Sequence, residues 1–126
     1  DNLSWLSLRY INNIEIPIQE NQSIPAQNLF RTFISNDGKH KSEGISNYSL
    51  KYTHYFQESN VMVHFAQELL NGPPGVLPFI VDIDVIHTKD YKLEDIDVER
   101  KFDELRTTKN EYFFDNLTPD TLELIK

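Results

Sequence analysis

Apolar residues over 6–16 follow a two-residue period. Leu6, Leu8, Tyr10, Ile14 and Ile16 share one parity, and Ser7, Arg9, Asn13 and Glu15 share the other. Such alternation predicts a β-strand with one buried face. Asn12 interrupts the apolar parity, which predicts a bulge or twist near Asn12 and Asn13. Pro17 has no N–H to donate and ends the ladder. After a polar stretch at 18–24 the period changes. Leu29, Phe30 and Phe33 fall at helical spacing and predict a short helix over 25–34, with Ser23 as its cap and Pro25 in its first turn. Residues 35–42 read as a loop, the most basic patch of the chain.

Three more alternating segments follow. Tyr48, Leu50, Tyr52, His54 and Phe56 mark the apolar parity of 45–56. Val61, Val63, Phe65 and Leu69 mark that of 61–69, and Leu77, Phe79, Val81, Ile83 and Val85 that of 76–87. Turn chemistry at 57–60 and 71–75 separates them, the second holding Gly72, Pro73, Pro74 and Gly75. Connections this short predict an antiparallel meander, because parallel neighbours need crossovers of about a dozen residues. From about Asp95, Val98, Phe102, Leu105 and Tyr112 recur at steps near 3.6 and predict a long helix. Thr118 as cap and Pro119 in the first turn predict a terminal helix on which Leu122 and Ile125 pack. The fold class expected is α+β: a four-stranded antiparallel sheet, built as strand, helix, three-strand meander, helix and helix, with the helices on one face.

Length and composition narrow the function classes. A chain of 126 residues with 39% hydrophobic residues fits one domain, 1–126, with a real core. The formal charge of −8 argues against a nucleic-acid partner, and the lack of a long apolar run argues against a membrane one. With no cysteine, thiolate metal sites, iron–sulfur centres and cysteine nucleophiles are excluded. No phosphate-cradling glycine loop or nucleophile elbow occurs, so no cofactor is expected. A cytoplasmic location is the expectation for such a chain. The acids gather at Glu94, Asp95, Asp97, Glu99, Asp103 and Glu104, around the start of the long helix. There they favour its N-terminus and face solvent.

One constellation carries possible chemistry. Asp82 and Asp84 lie two apart on one strand and therefore share a face. A register pairing Val63 with Ile83 sets His64 beside Asp82 and Thr53 beside His64. Asp82, Asp84 and His64 would then form a patch for a divalent metal or for acid–base work. The plain alternative is an exposed sheet face with cross-strand polar pairs. His54 sits on the apolar parity and reads as a histidine at the edge of the core.

Three short stretches resemble a known family. They are Leu8-Arg9-Tyr10-Ile11-Asn12-Asn13-Ile14-Glu15-Ile16-Pro17, then Asp82-Ile83-Asp84-Val85, then Leu105-Arg106-Thr107-Thr108-Lys109-Asn110 running on to Phe113-Phe114 and Asp115-Asn116-Leu117-Thr118-Pro119. Their order is similar to the C-terminal half of a sporadically distributed prokaryotic family of uncharacterised proteins about twice this length. Asn13 stands where that family has arginine. The resemblance implies a C-terminal domain of a longer protein, in keeping with Asp1 in place of an initiator methionine. It brings no catalytic residues. It implies that Arg9, Asn12, Asp82, Asp84, Arg106, Lys109 and Asn110 make structural polar contacts, Arg9 with an acid across the sheet. The leading expectation is a non-catalytic domain acting through protein–protein contact, with its own N-terminal half or as a homodimer. Two alternatives stand beside it. One is a metal-dependent enzyme or regulator using Asp82, Asp84 and His64. The other is a small-ligand binder with an apolar pocket between sheet and long helix.

Overall fold

The alternating segments pair into one antiparallel sheet. The computed structural model describes residues 2–3, 6–19, 24, 26–33, 47–87, 91–92 and 98–125. Its main strands are β2 (Leu6–Pro17), β3 (Tyr48–Phe56), β4 (Val61–Leu69) and β5 (Val76–His87), preceded by a two-residue β1 (Asn2–Leu3). A two-residue β6 (Tyr91–Lys92), α1 (Val98–Asn116) and α2 (Pro119–Leu124) follow. The sheet order is β2-β5-β4-β3, and β1 pairs separately with β6. The small β1–β6 pairing has no counterpart in the sequence pattern. Among the described residues no helix is long and apolar enough to cross a membrane.

Apolar parity decides which face is buried. Ile14 and Ile16 of β2, Val63 and Phe65 of β4, and Val81, Ile83 and Val85 of β5 form the core against Leu105 and Phe113 of α1. Each such side chain withdrawn from water contributes about 1.5–3 kcal/mol. The two turns are as the sequence predicts. Asn60 takes a positive φ of 54° before β4, and Gly75 takes 90° before β5, a conformation that favours glycine. Thr118 caps α2, its hydroxyl accepting from the Thr121 N–H at 3.3 Å, with Pro119 in the first turn.

Several expectations need correction. The bulge near Asn12 is absent: β2 pairs with β5 one for one from Leu6 with His87 to Pro17 with Val76. Asn12 therefore stays on the core parity, opposite Val81. The helix over 25–34 reduces to a three-residue turn of 3-10 helix, Ala26–Asn28. Leu29 and Phe30 are buried behind it, but Phe33 is 41% exposed. The reason is competition for donors. The Arg31 and Thr32 N–H groups donate to the backbone and side-chain oxygens of Asn116, at 2.7 and 2.8 Å, so they cannot extend a helix. On α1, Phe113 joins Leu105 in the core, while Phe102 and Tyr112 are partly buried. Ile125 is exposed, and Thr121 takes the buried position on α2. Ser23, Pro25, the loop at 35–42, and Glu94, Asp95 and Asp97 lie outside the described residues.

A buried amide network ties the layers together. Gln67 sits on the apolar parity of β4 and is fully buried. Its amide nitrogen donates to the Thr32 carbonyl at 2.9 Å and to the Tyr48 hydroxyl at 2.8 Å. Its carbonyl accepts from Asn116 Nδ2 at 2.9 Å. A polar side chain in the core is tolerable only when so satisfied. The substitution Gln67→Leu strands the Asn116 amide and is expected to lower the unfolding free energy by about 2–3 kcal/mol. Urea denaturation measures this, and an unchanged midpoint contradicts it.

Candidate functional site

The face of the sheet away from α1 carries the polar parity. Arg9 and Ile11 of β2, Lys51 and Thr53 of β3, His64 of β4, and Asp82 and Asp84 of β5 line an open depression of about 780 Å³. Ile86 is buried at the end of β5, on the same parity.

The register differs from the expected one by two residues. Val63 pairs with Val85 and Phe65 with Ile83, so His64 stands opposite Asp84, and Ala66 opposite Asp82. Parity alone allows either register. The lengths of the turn and of the strand ends decide between them. Thr53 does face His64, and its hydroxyl shares a 2.8 Å hydrogen bond with His64 Nδ1.

Asp82 has a different partner from the one proposed for a metal site. The Arg9 guanidinium donates from Nε to Oδ1 at 3.0 Å and from Nη2 to Oδ2 at 2.6 Å. Both carboxylate oxygens are thereby engaged in a fork-to-fork contact. The contact lifts the Arg9 guanidinium above its ordinary value, through hydrogen bonding and then charge, with a lesser contribution from Asp84. Asp84 keeps one buried carboxylate oxygen without a partner. Among the described residues no group of three or more histidine or acidic side chains is arranged to hold a metal ion.

The family-like stretches meet at the β2 edge. Arg9 grips Asp82, Lys109 Nζ lies 4.1 Å over the Tyr10 ring, and Phe113 meets that ring edge-on at 6.1 Å. Lys109 on Tyr10 is a cation–π contact. Arg106 pairs with Asp103 on its own helix, and Asn110 is exposed. Asn12, like Asp84, keeps an unsatisfied atom: its side-chain nitrogen is buried and finds no partner.

A second polar cluster lies where α1 crosses β3, and no spacing in the sequence announces it. The Tyr52 and Tyr112 hydroxyls share a 2.7 Å hydrogen bond, and His54 Nδ1 lies 3.4 Å from the Tyr112 oxygen. His54 is on the core parity yet exposed, stacked on Phe56 at 4.1 Å. Burial, and then the bond to Tyr52, push the Tyr112 phenol well above its ordinary value. Nearby, Phe56, Thr108, Glu111, Tyr112, Phe114 and Asp115 line a hollow of about 860 Å³. It opens at the seam of α1 with the sheet, and its lining mixes aromatic with acidic side chains.

The chain matches no family model, and no curated protein or solved structure matches it.

Two measurements test this geometry. With Arg9 on both Asp82 oxygens, divalent zinc, manganese or magnesium is expected to leave Tm unchanged. A rise abolished by Asp84→Asn or His64→Ala would restore the metal reading. Above about pH 10 the phenols of the unfolded chain lose protons while folded Tyr112 keeps its own. Stability is therefore expected to fall as pH rises through that range, and less steeply in Tyr112→Phe. Equal slopes for the two proteins contradict the assignment.

Proposed function

We propose that this chain is a protein-contact domain, non-catalytic in itself, that associates through the outer edge of β2. The observation that supports the reading is the state of that edge. β2 runs twelve residues at the end of the sheet order, and among the described residues nothing pairs with its outer side. At mid-strand, Tyr10 is 40% and Ile11 53% exposed. An edge strand offers a row of free N–H and C=O groups, and proteins that stay single blunt such edges with lysine, proline or a bulge. β2 has no lysine, no bulge and no proline before Pro17; of its two charged residues, Arg9 is already offset by Asp82 and Glu15 is exposed. The opposite edge, β3, is nine residues long and carries Lys51 in its middle.

Association through a strand edge makes use of backbone groups that the fold already exposes. It requires no catalytic group, and on the polar face Arg9 and Asp82 are spent on each other. The N-terminal half implied by the family resemblance would add its strand at the same edge. Sedimentation from micromolar to millimolar concentration tests the reading in the chain itself. The expected result is a mass that rises with concentration and a weaker rise in Ile11→Lys, which plants a charge on the exposed edge. A strictly monomeric chain at millimolar concentration contradicts self-association.

A further inference from the structure

We infer that the partner at this edge is a second copy of the chain, docked β2 against β2 about a two-fold axis through Asn12. This rests on the reading of β2 as an association edge and adds the occupant and the register. A strand paired antiparallel with its own copy sets each residue opposite one whose number makes a constant sum with its own. Opposed residues share a sheet face, so that sum is even. A two-fold contact of this kind closes on itself, which a β2-to-β3 contact does not.

Charge chooses the register. With the axis at Asn12, Arg9 of each copy faces Glu15 of the other, twice per interface. Shifting the axis to Ile11 or Asn13 sets Arg9 against Asn13 or Pro17 and leaves Glu15 opposite Ser7 or Ile11. Both groups are ready for the pair. Arg9 commits Nε and Nη2 to Asp82 and keeps Nη1 free. The Glu15 carboxylate is exposed and has no ionic or hydrogen-bond partner among the described residues. β3 carries no acidic residue and has no such self-complementarity.

Asn12, on the core parity of β2, is the residue that meets its own copy at this axis. On the same face the exposed Tyr10 lies opposite Ile14 and the half-buried Leu8 opposite Ile16. The product is a continuous eight-stranded sheet with both α1 helices on one side.

The natural chain has no cysteine, so one introduced thiol reads the register directly. Asn12→Cys places two thiols across the axis, within the roughly 4.4–6.8 Å Cα separation a disulfide needs. Mild oxidation is expected to give a covalent dimer in buffer and little in urea, whereas Tyr55→Cys on the other edge stays monomeric. Glu15→Arg faces arginine with arginine and is expected to weaken the dimer by about tenfold or more in Kd. Glu15 has no partner among the described residues, so this variant should keep its circular dichroism. A dimer that survives Glu15→Arg, together with Asn12→Cys that fails to cross-link, overturns the register while self-association stands. A monomeric wild-type chain overturns both.

Discussion

The ladder between β2 and β5 is the interaction on which the rest depends. It joins the first long strand to the last and fixes the parity of every position across it. Its twelve pairs run without a bulge, so Arg9, Asp82 and Asp84 fall on one face and Ile14, Ile16, Phe79 and Val81 on the other. Because β5 lies between β2 and β4, β2 is left at the edge. The same pairing that completes the core thus leaves the outer side of β2 without a strand partner among the described residues.

One face of the sheet is closed by α1 and by the segment at 26–33, and the closure is polar at its centre. Asn116 donates to Gln67 inside the core, and the two amides hold Thr32 and Tyr48 in place. On the other face Arg9 pairs with Asp82, and Thr53 shares a hydrogen bond with His64. What is left open is an edge.

Parity made most of the sheet legible in the sequence. The bounds of β4 and β5, both turns, the meander and the Thr118 cap follow from alternation, turn chemistry and capping. Three things did not follow. The β4–β5 register was displaced by two residues, because alternation has no memory of which apolar residue meets which. The segment after Ala26 departs from helix because its donors go to Asn116, a residue far along the chain. Gln67 interrupts an apolar row, and nothing local shows that distant groups satisfy it. For the candidate site, the sequence placed Asp82, Asp84 and His64 on one face but did not reveal that Arg9 holds both oxygens of Asp82. Asn12 was legible as an anomaly, and it is one: a side-chain nitrogen kept on the core parity without a partner.

The central claim is that the outer side of β2 is a pairing edge, and amide hydrogen exchange followed at low and high protein concentration tests it most directly. Outward-facing amides of β2 are expected to exchange quickly in dilute solution and to gain protection as concentration rises. Those on the outer side of β3 should stay fast throughout. Protection of β2 that does not change with concentration, or that appears on β3 instead, would contradict the account.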